Sequence, residues 1–149
     1  MPFKTAILQM RSRNRDIQNN ISIVIDRMKE AKSNHADILL LPECFITGYD
    51  LTIGNDDALT EDDLKQLCEK AKELHIGVVA TAIARGTAKP QNAAFVIDKN
   101  GEILMQYAKV HTCDFADEKV LASGDEFKVC DFGGVKLGVI KCRSKTKAN

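Results

Sequence analysis

The stretch Ile38-Leu-Leu-Leu-Pro-Glu43 decides the fold. Four consecutive large apolar residues without polar alternation are typical of a β-strand that is covered on both faces. The proline ends this strand, and a glutamate follows it directly. Val78–Ala84 and Leu137–Ile140 are apolar in the same way. The sequence therefore predicts an α/β protein whose sheet is buried between other layers.

Helices and further strands alternate around this stretch. Asp16 caps a predicted helix with apolar residues at helical spacing, and Thr60-Glu-Asp-Asp63 resembles a capping box that opens a second helix, for which Gly77 suits the end. Turn sequences at Asp98–Gly101 and Gly133-Gly134 predict two β-hairpins. The predicted strands are Thr5–Met10, Ala36–Leu41, Ile76–Ala84, Ala93–Ile97, Glu102–Val110, Phe127–Phe132 and Val135–Ile140. Because two helices cannot cover both faces of so many strands, we expect an apolar sheet face to be left bare.

Length and composition exclude several classes of protein. The chain has 149 residues, 44% hydrophobic and 28% charged, which fits one globular domain. No apolar run approaches the ~18 residues of a membrane span, and no secretory signal is present, so we expect a cytoplasmic protein without membrane contact. The last nine residues are basic, and residues 1–140 carry 17 basic against 21 acidic side chains. A mildly acidic body indicates no nucleic-acid partner.

Five cysteines occur without a C-x-x-C pair, which predicts free thiols rather than disulfides or a zinc site. We expect Cys68 and Cys130 to pack in the core. His111 and Cys113 form at most half of a metal site, because no second pair accompanies them. A redox or metal-binding thiol protein is therefore the weakest of three hypotheses, and the sequence predicts no metal.

Three reactive side chains fall at or just after predicted strand ends: Glu43, Lys109 and Cys142. Because ligands gather at the carboxyl ends of strands in α/β sheets, these ends of one sheet are expected to converge. A thiolate is a strong nucleophile, a glutamate desolvated by an apolar pocket can take its proton, and an ammonium group can stabilise an oxyanion. The set suits acyl transfer from a C–N bond and requires no cofactor or metal.

Three segments resemble the signatures of the nitrilase (carbon–nitrogen hydrolase) superfamily: Leu39–Tyr49, Tyr107–His111 and Val135–Cys142. They occur in the family's order, within a resemblance that runs from about residue 3 to residue 140. It implies that Glu43 is the general base, Lys109 stabilises the tetrahedral intermediate and Cys142 is the nucleophile. A loop around residues 117–125 resembles the one that carries a second, assisting glutamate, which would be Glu118.

The resemblance implies part of an α-β-β-α sandwich, because family members have about twice this length. The chain departs from the family around the nucleophile, with Lys141 before it and Arg143-Ser144 after it. We therefore assign residues 1–140 to a truncated nitrilase-like domain and residues 141–149 to a divergent basic tail. A truncated or frame-altered gene product would explain that tail.

Two hypotheses about function remain. The first is an enzyme that cleaves a non-peptide C–N bond of a small amide, an N-carbamoyl compound or a nitrile, with amides preferred on family grounds alone. The second is a catalytically silent fragment or interaction module of the same family. A bare apolar sheet face predicts that the isolated chain is either self-associated, as a homo-oligomer or otherwise, or poorly folded. We also expect its turnover to be lost or very weak, because a nucleophile about 1 Å out of place can lower the rate about a hundredfold.

Overall fold

A computed structural model describes residues 2–112 and 117–141. The strands are β1 (Thr5–Ile7), β2 (Ile38–Leu40), β3 (Gly77–Ala84), β4 (Gln91–Ile97), β5 (Ile103–Ala108), β6 (Val129–Phe132) and β7 (Val135–Gly138). The helices are α1 (Ile17–Ser33) and α2 (Glu61–Leu74), with a 3-10 turn at Glu118–Val120. Neither α-helix in this described part of the chain is long and apolar enough to cross a membrane.

The main sheet has five strands in the order β1-β2-β3-β4-β5. β1, β2 and β3 are parallel, and β4 and β5 continue the sheet in antiparallel pairs. The predicted turn at Asp98–Gly101 joins the last two strands, and Gly101 has a φ of +82°, which suits glycine in a tight turn. The α/β prediction is confirmed.

Both helices pack on one face of this sheet. Ile21, Val24 and Met28 of α1 are buried against the same apolar cluster as Leu64 and Leu67 of α2. The predicted capping box is present: the hydroxyl of Thr60 accepts from the backbone N–H of Asp63, and the Asp63 carboxylate accepts from the Thr60 backbone N–H at 3.0 Å. Asp16 occupies the cap position of α1, but its side chain makes no capping hydrogen bond.

The β6–β7 hairpin covers the opposite face, so the prediction of a bare sheet face was wrong. All eight residues of β3 are buried. Phe132 at the end of β6 packs with Ile38, Val79 and Val96, and Leu137 lies at the edge of that cluster. The sequence predicts that the hairpin strands need covering, whereas in the fold the hairpin itself covers the sheet.

Three local expectations also require correction. β7 pairs with β6 in a separate two-stranded sheet, so the strand before Cys142 does not belong to the main sheet. Its side chains alternate between half-buried and exposed, because only one face of the hairpin meets the main sheet. Helix α2 ends at Leu74 with His75 as its C-cap, whose φ is +55°, and Gly77 begins β3 instead of ending the helix. Cys68 and Cys130 are partly buried at the edges of the two apolar clusters.

Candidate active site

Glu43 lies in the turn that follows β2, and Thr81 of β3 holds this turn in place. The Thr81 hydroxyl donates to the carbonyl of Pro42 and accepts from the backbone N–H of Phe45 at 3.2 Å. The backbone carbonyl of the same threonine accepts from Ile46 at 3.0 Å. Since β3 is fully buried, this turn is anchored to a strand in the core of the sheet.

The turn has a backbone feature that the sequence did not indicate. Cys44, next to Glu43, has a φ of +52°, in the left-handed region that non-glycine residues seldom adopt. Cys44 is fully buried, and burial raises the pKa of its thiol to about 12. The thiol is therefore protonated near neutral pH and is not suited to act as a nucleophile.

Lys109 follows the last residue of β5 and is buried, with 3% of its surface exposed. Its Nζ donates to the Oε1 atom of Glu43 at 3.3 Å and to the Oε1 atom of Glu118 at 3.1 Å. Burial disfavours the charged ammonium, but the hydrogen bond to Glu118 and the charge of Glu43 outweigh it. The pKa of Lys109 is raised as a result.

Glu118 is completely buried in the 3-10 turn that passes over Lys109. Gly124 ties this segment to Lys109 through a backbone hydrogen bond of 2.9 Å. A side chain at Gly124 would bring its Cβ within 2.2 Å of the carbonyl of Ala108, so the approach requires glycine. Tyr49 also contacts this carboxylate, since its hydroxyl donates to Glu118 at 2.6 Å.

Tyr49 is linked to this cluster electrostatically as well. Burial raises the pKa of its hydroxyl, and the hydrogen bond to Glu118 adds to that effect. Tyr49 ends the segment around Glu43 that resembles a family signature, but the sequence alone does not indicate its contact with Glu118.

Asn92 and Lys141 extend the cluster on the other side of Glu43. The Asn92 amide donates to Glu43 Oε1 at 2.7 Å, and Lys141 donates to Asn92 Oδ1 and to the carbonyl of Ala93. Burial lowers the pKa of Lys141. Sequence reasoning missed both contacts, because the predicted strand began at Ala93 and Lys141 was assigned to a solvated tail.

The structure thus brings three of the four predicted site residues into one cluster: Glu43, Lys109 and Glu118. Cys142 and Cys113 lie outside the described residues. Glu43 was expected in a desolvating apolar pocket, but 43% of its side chain is exposed. It borders a cleft of about 450 Å³ between the sheet and β7, whose polar lining includes Thr81 and Lys141.

Within residues 2–112 and 117–141, no group of three His, Cys, Asp or Glu side chains is arranged to hold a metal ion. Chemically, the described cluster offers a solvent-accessible carboxylate beside a buried ammonium that is held by a second carboxylate. A base and an oxyanion-stabilising cation within hydrogen-bond reach suit acyl transfer.

Solved structures of similar proteins have the same fold. The chain aligns with an amidase from Nesterenkonia sp. with a TM-score of 0.82 at 23% identity, covering 93% of this chain and 54% of that one. Another structure of the Nesterenkonia amidase shows acrylamide added at that protein's active-site cysteine. At this identity the likeness establishes the fold.

Sequence comparison gives the family. The chain is 35% identical to the 2-oxoglutaramate amidase of Bacillus subtilis (strain 168), over 76% of this chain and 45% of that protein. It is 32% identical to nitrilase homolog 2 of Dictyostelium discoideum, over 84% of this chain and 42% of that protein. The chain thus spans about half the length of the curated relatives it matches. A sequence profile of carbon-nitrogen hydrolases matches residues 4–146, and the chain belongs to this family.

Proposed function

We propose that the chain acts as an amidase-type carbon–nitrogen hydrolase that cleaves a small amide through a cysteine acyl-enzyme. The observation that carries the proposal is a pair of contacts made by Lys109, which follows β5. Its ammonium group contacts Glu43, in the turn after β2, and Glu118, in the 3-10 turn. Family membership supports the reaction type, and the amidases among the relatives support an amide over a nitrile or an N-carbamoyl compound. The active-site cysteine of the Nesterenkonia amidase supports Cys142 as the nucleophile.

The first half of the reaction forms a thioester. Glu43 takes the proton of the Cys142 thiol, and the sulfur attacks the carbonyl carbon of the amide. Lys109 donates to the oxyanion that develops, while Glu118 holds the lysine. The C–N bond then breaks, and the departing nitrogen takes the proton from Glu43, which releases ammonia or an amine.

The second half returns the enzyme to its starting state. Glu43 takes a proton from water, and the resulting hydroxide adds to the thioester carbon. The C–S bond breaks, a carboxylic acid leaves, and the sulfur recovers the proton from Glu43. The same carboxylate serves twice as base and twice as acid, so it must remain accessible to substrate and to water.

An ammonia-release assay tests this function. The substrates are small aliphatic amides, ω-amides of dicarboxylic acids, N-carbamoyl compounds and nitriles. We expect amides to release ammonia and Cys142→Ala to abolish the release, whereas Cys130→Ala, in the hairpin, leaves it intact. Release that is equal in Cys142→Ala and in the unsubstituted chain would overturn the cysteine mechanism, and no release from any substrate would overturn the proposed activity.

We also propose that the chain associates with itself. The support is the outer side of the β6–β7 hairpin, where Val129 is 68% exposed, and its flanks, where Phe127 and Ile140 are 58% and 77% exposed. Large apolar side chains exposed to solvent favour burial against a partner.

A further inference from the structure

Asn92 occupies the second position of β4 and has no exposed surface. Its side chain joins Glu43 and Lys141 through hydrogen bonds. Its Nδ2 donates to Glu43 Oε1 at 2.7 Å, and its Oδ1 accepts from Lys141. A fully buried amide that makes hydrogen bonds at both ends is held in one position.

The orientation of this amide is fixed by the donors around it. Cys44 Sγ donates to Asn92 Oδ1 at 3.2 Å, on the same side as Lys141. An ammonium has no acceptor, and the high pKa of Cys44 keeps its thiol protonated. Turning the amide over would direct its N–H groups at two donors and leave its oxygen facing a carboxylate. The nitrogen must therefore face Glu43.

The backbone of the same residue holds Lys109. The carbonyl of Asn92 accepts from the backbone N–H of Lys109 at 2.8 Å. Asn92 thus holds the lysine through its main chain and Glu43 through its side chain. A substitution of the side chain removes the second contact and keeps the first.

This arrangement distinguishes the two oxygens of Glu43. Oε1 accepts from both Asn92 and Lys109, whereas Oε2 accepts no hydrogen bond from any residue in 2–112 or 117–141. Two donors occupy one oxygen and fix the plane of the carboxylate. The other oxygen is left to the exposed side of the residue.

We propose that Asn92 is a positioning residue that anchors Oε1 of Glu43 and so makes Oε2 the atom that accepts and returns the proton. The proposal rests on the proposed role of Glu43 as the base. Asparagine fits the position because a carboxamide of this length donates at one end and accepts at the other. Aspartate could accept from Cys44 and Lys141, but it would repel Glu43 instead of donating to it.

Steady-state kinetics of Asn92→Asp test the proposal, with Asn20→Asp as the matched control. Asn20 is the other fully buried asparagine among the described residues, and its amide donates to backbone carbonyls, including that of Ile46, instead of to Glu43. We expect Asn92→Asp to lower kcat about 100-fold with little change in KM, because a displaced base loses its attack geometry. Asn20→Asp should keep the kcat of the folded fraction. Equal losses of kcat in the two variants would overturn the proposal.

An NMR measurement does not depend on turnover, and it tests the proposal where a variant folds poorly or the chain is inactive. Asparagine labelled with ¹⁵N reports the side-chain amide of Asn92 by NMR. We expect Glu43→Gln to shift both amide protons of Asn92, since the charge-assisted hydrogen bond is lost, and Glu126→Gln to leave them unchanged. An unchanged Asn92 signal in Glu43→Gln would overturn the positioning role. Shifted signals in a chain that releases no ammonia would instead contradict the proposed function and leave the Asn92 contact established.

Discussion

Lys109 and Glu118 are both buried, and the ion pair between them offsets part of the cost of placing both charges inside the protein. Removing one partner of such a pair leaves an uncompensated charge, which is more destabilising than replacing both. Tyr49 donates to Glu118 but carries no positive charge that could replace the ammonium. The cluster that suits catalysis is therefore also a point where stability is sensitive to substitution.

We expect Lys109→Met to lower the free energy of unfolding by about 3–5 kcal/mol. Lys109→Met combined with Glu118→Gln should recover part of that loss, because the buried carboxylate is gone. Urea unfolding followed by circular dichroism measures both values. Lys70→Met is the control, since its pair with Glu73 is on the surface and should contribute about 1 kcal/mol or less. A loss in Lys109→Met no larger than in Lys70→Met would contradict the argument.

The pKa values of Lys109 and Tyr49 also predict how stability depends on pH. Both are raised above their ordinary values of 10.5 and 10.0, so folding favours the protonated form of each group. Their contribution is fully present below those ordinary values and is lost as the pH rises through the higher values of the folded state. We expect the free energy of unfolding to decrease above about pH 10. Tyr49→Phe should flatten this decrease in urea titrations, and an identical slope in the variant would count against it.

The residues of the site differ in how far sequence could identify them. Glu43, Lys109 and Glu118 belong to segments that resemble family signatures, and their roles remain predictions. Asn92 lies outside those segments, and the sequence does not indicate a role for it, because a polar residue beside a predicted strand is ordinarily a loop residue. Its importance comes from contacts with residues far away in the chain, and strand periodicity does not report such contacts.

At the scale of elements, local patterns predicted the individual strands better than their partners. The apolar runs of β2 and β3 indicated buried strands because both their faces are covered, and the turn at Gly133-Gly134 indicated the last hairpin. The run Leu137–Ile140 also reads as a central strand, yet β7 ends at Gly138 and Ile140 is exposed. Which sheet a strand joins is decided by long-range packing, and an apolar run alone cannot specify it.

The contact between Gly77 and Phe132 joins the main sheet to the hairpin. A Cβ at Gly77 would lie 2.5 Å from two atoms of the Phe132 ring, so the hairpin can lie this close only above a glycine. We expect Gly77→Ala to cost about 1–3 kcal/mol of unfolding free energy through overpacking. Phe132→Leu in the same chain should relieve part of that cost.

Gly54→Ala is the control for this substitution, because nothing lies within 4 Å of a Cβ at that position. Its unfolding free energy should change by about 0.5 kcal/mol or less. Additive effects of Gly77→Ala and Phe132→Leu in a double-mutant cycle would show that the two residues do not constrain each other, contrary to the packing described.

At the scale of the whole molecule, the hairpin changes where an interface is expected. The sequence predicted association through a bare face of the main sheet, but that face is covered by Phe132 and its neighbours. The large exposed apolar residues Val129 and Ile140 lie instead on and beside the hairpin. The open edges of a two-stranded sheet also present unpaired backbone groups, which favour pairing with another chain.

The hairpin is therefore where we expect copies of the chain to meet. Val129→Lys places a charge on its outer side at the start of β6, and we expect it to shift the chain towards a monomer in sedimentation velocity at rising protein concentration. Charged residues on strands of this kind oppose pairing because the charge would have to be desolvated. Val120→Lys is the matched control, since Val120 is 45% exposed but lies in the 3-10 turn. If both substitutions shift the sedimentation coefficient equally, the hairpin is not the contact, and a concentration-independent monomer for the unsubstituted chain would contradict self-association itself.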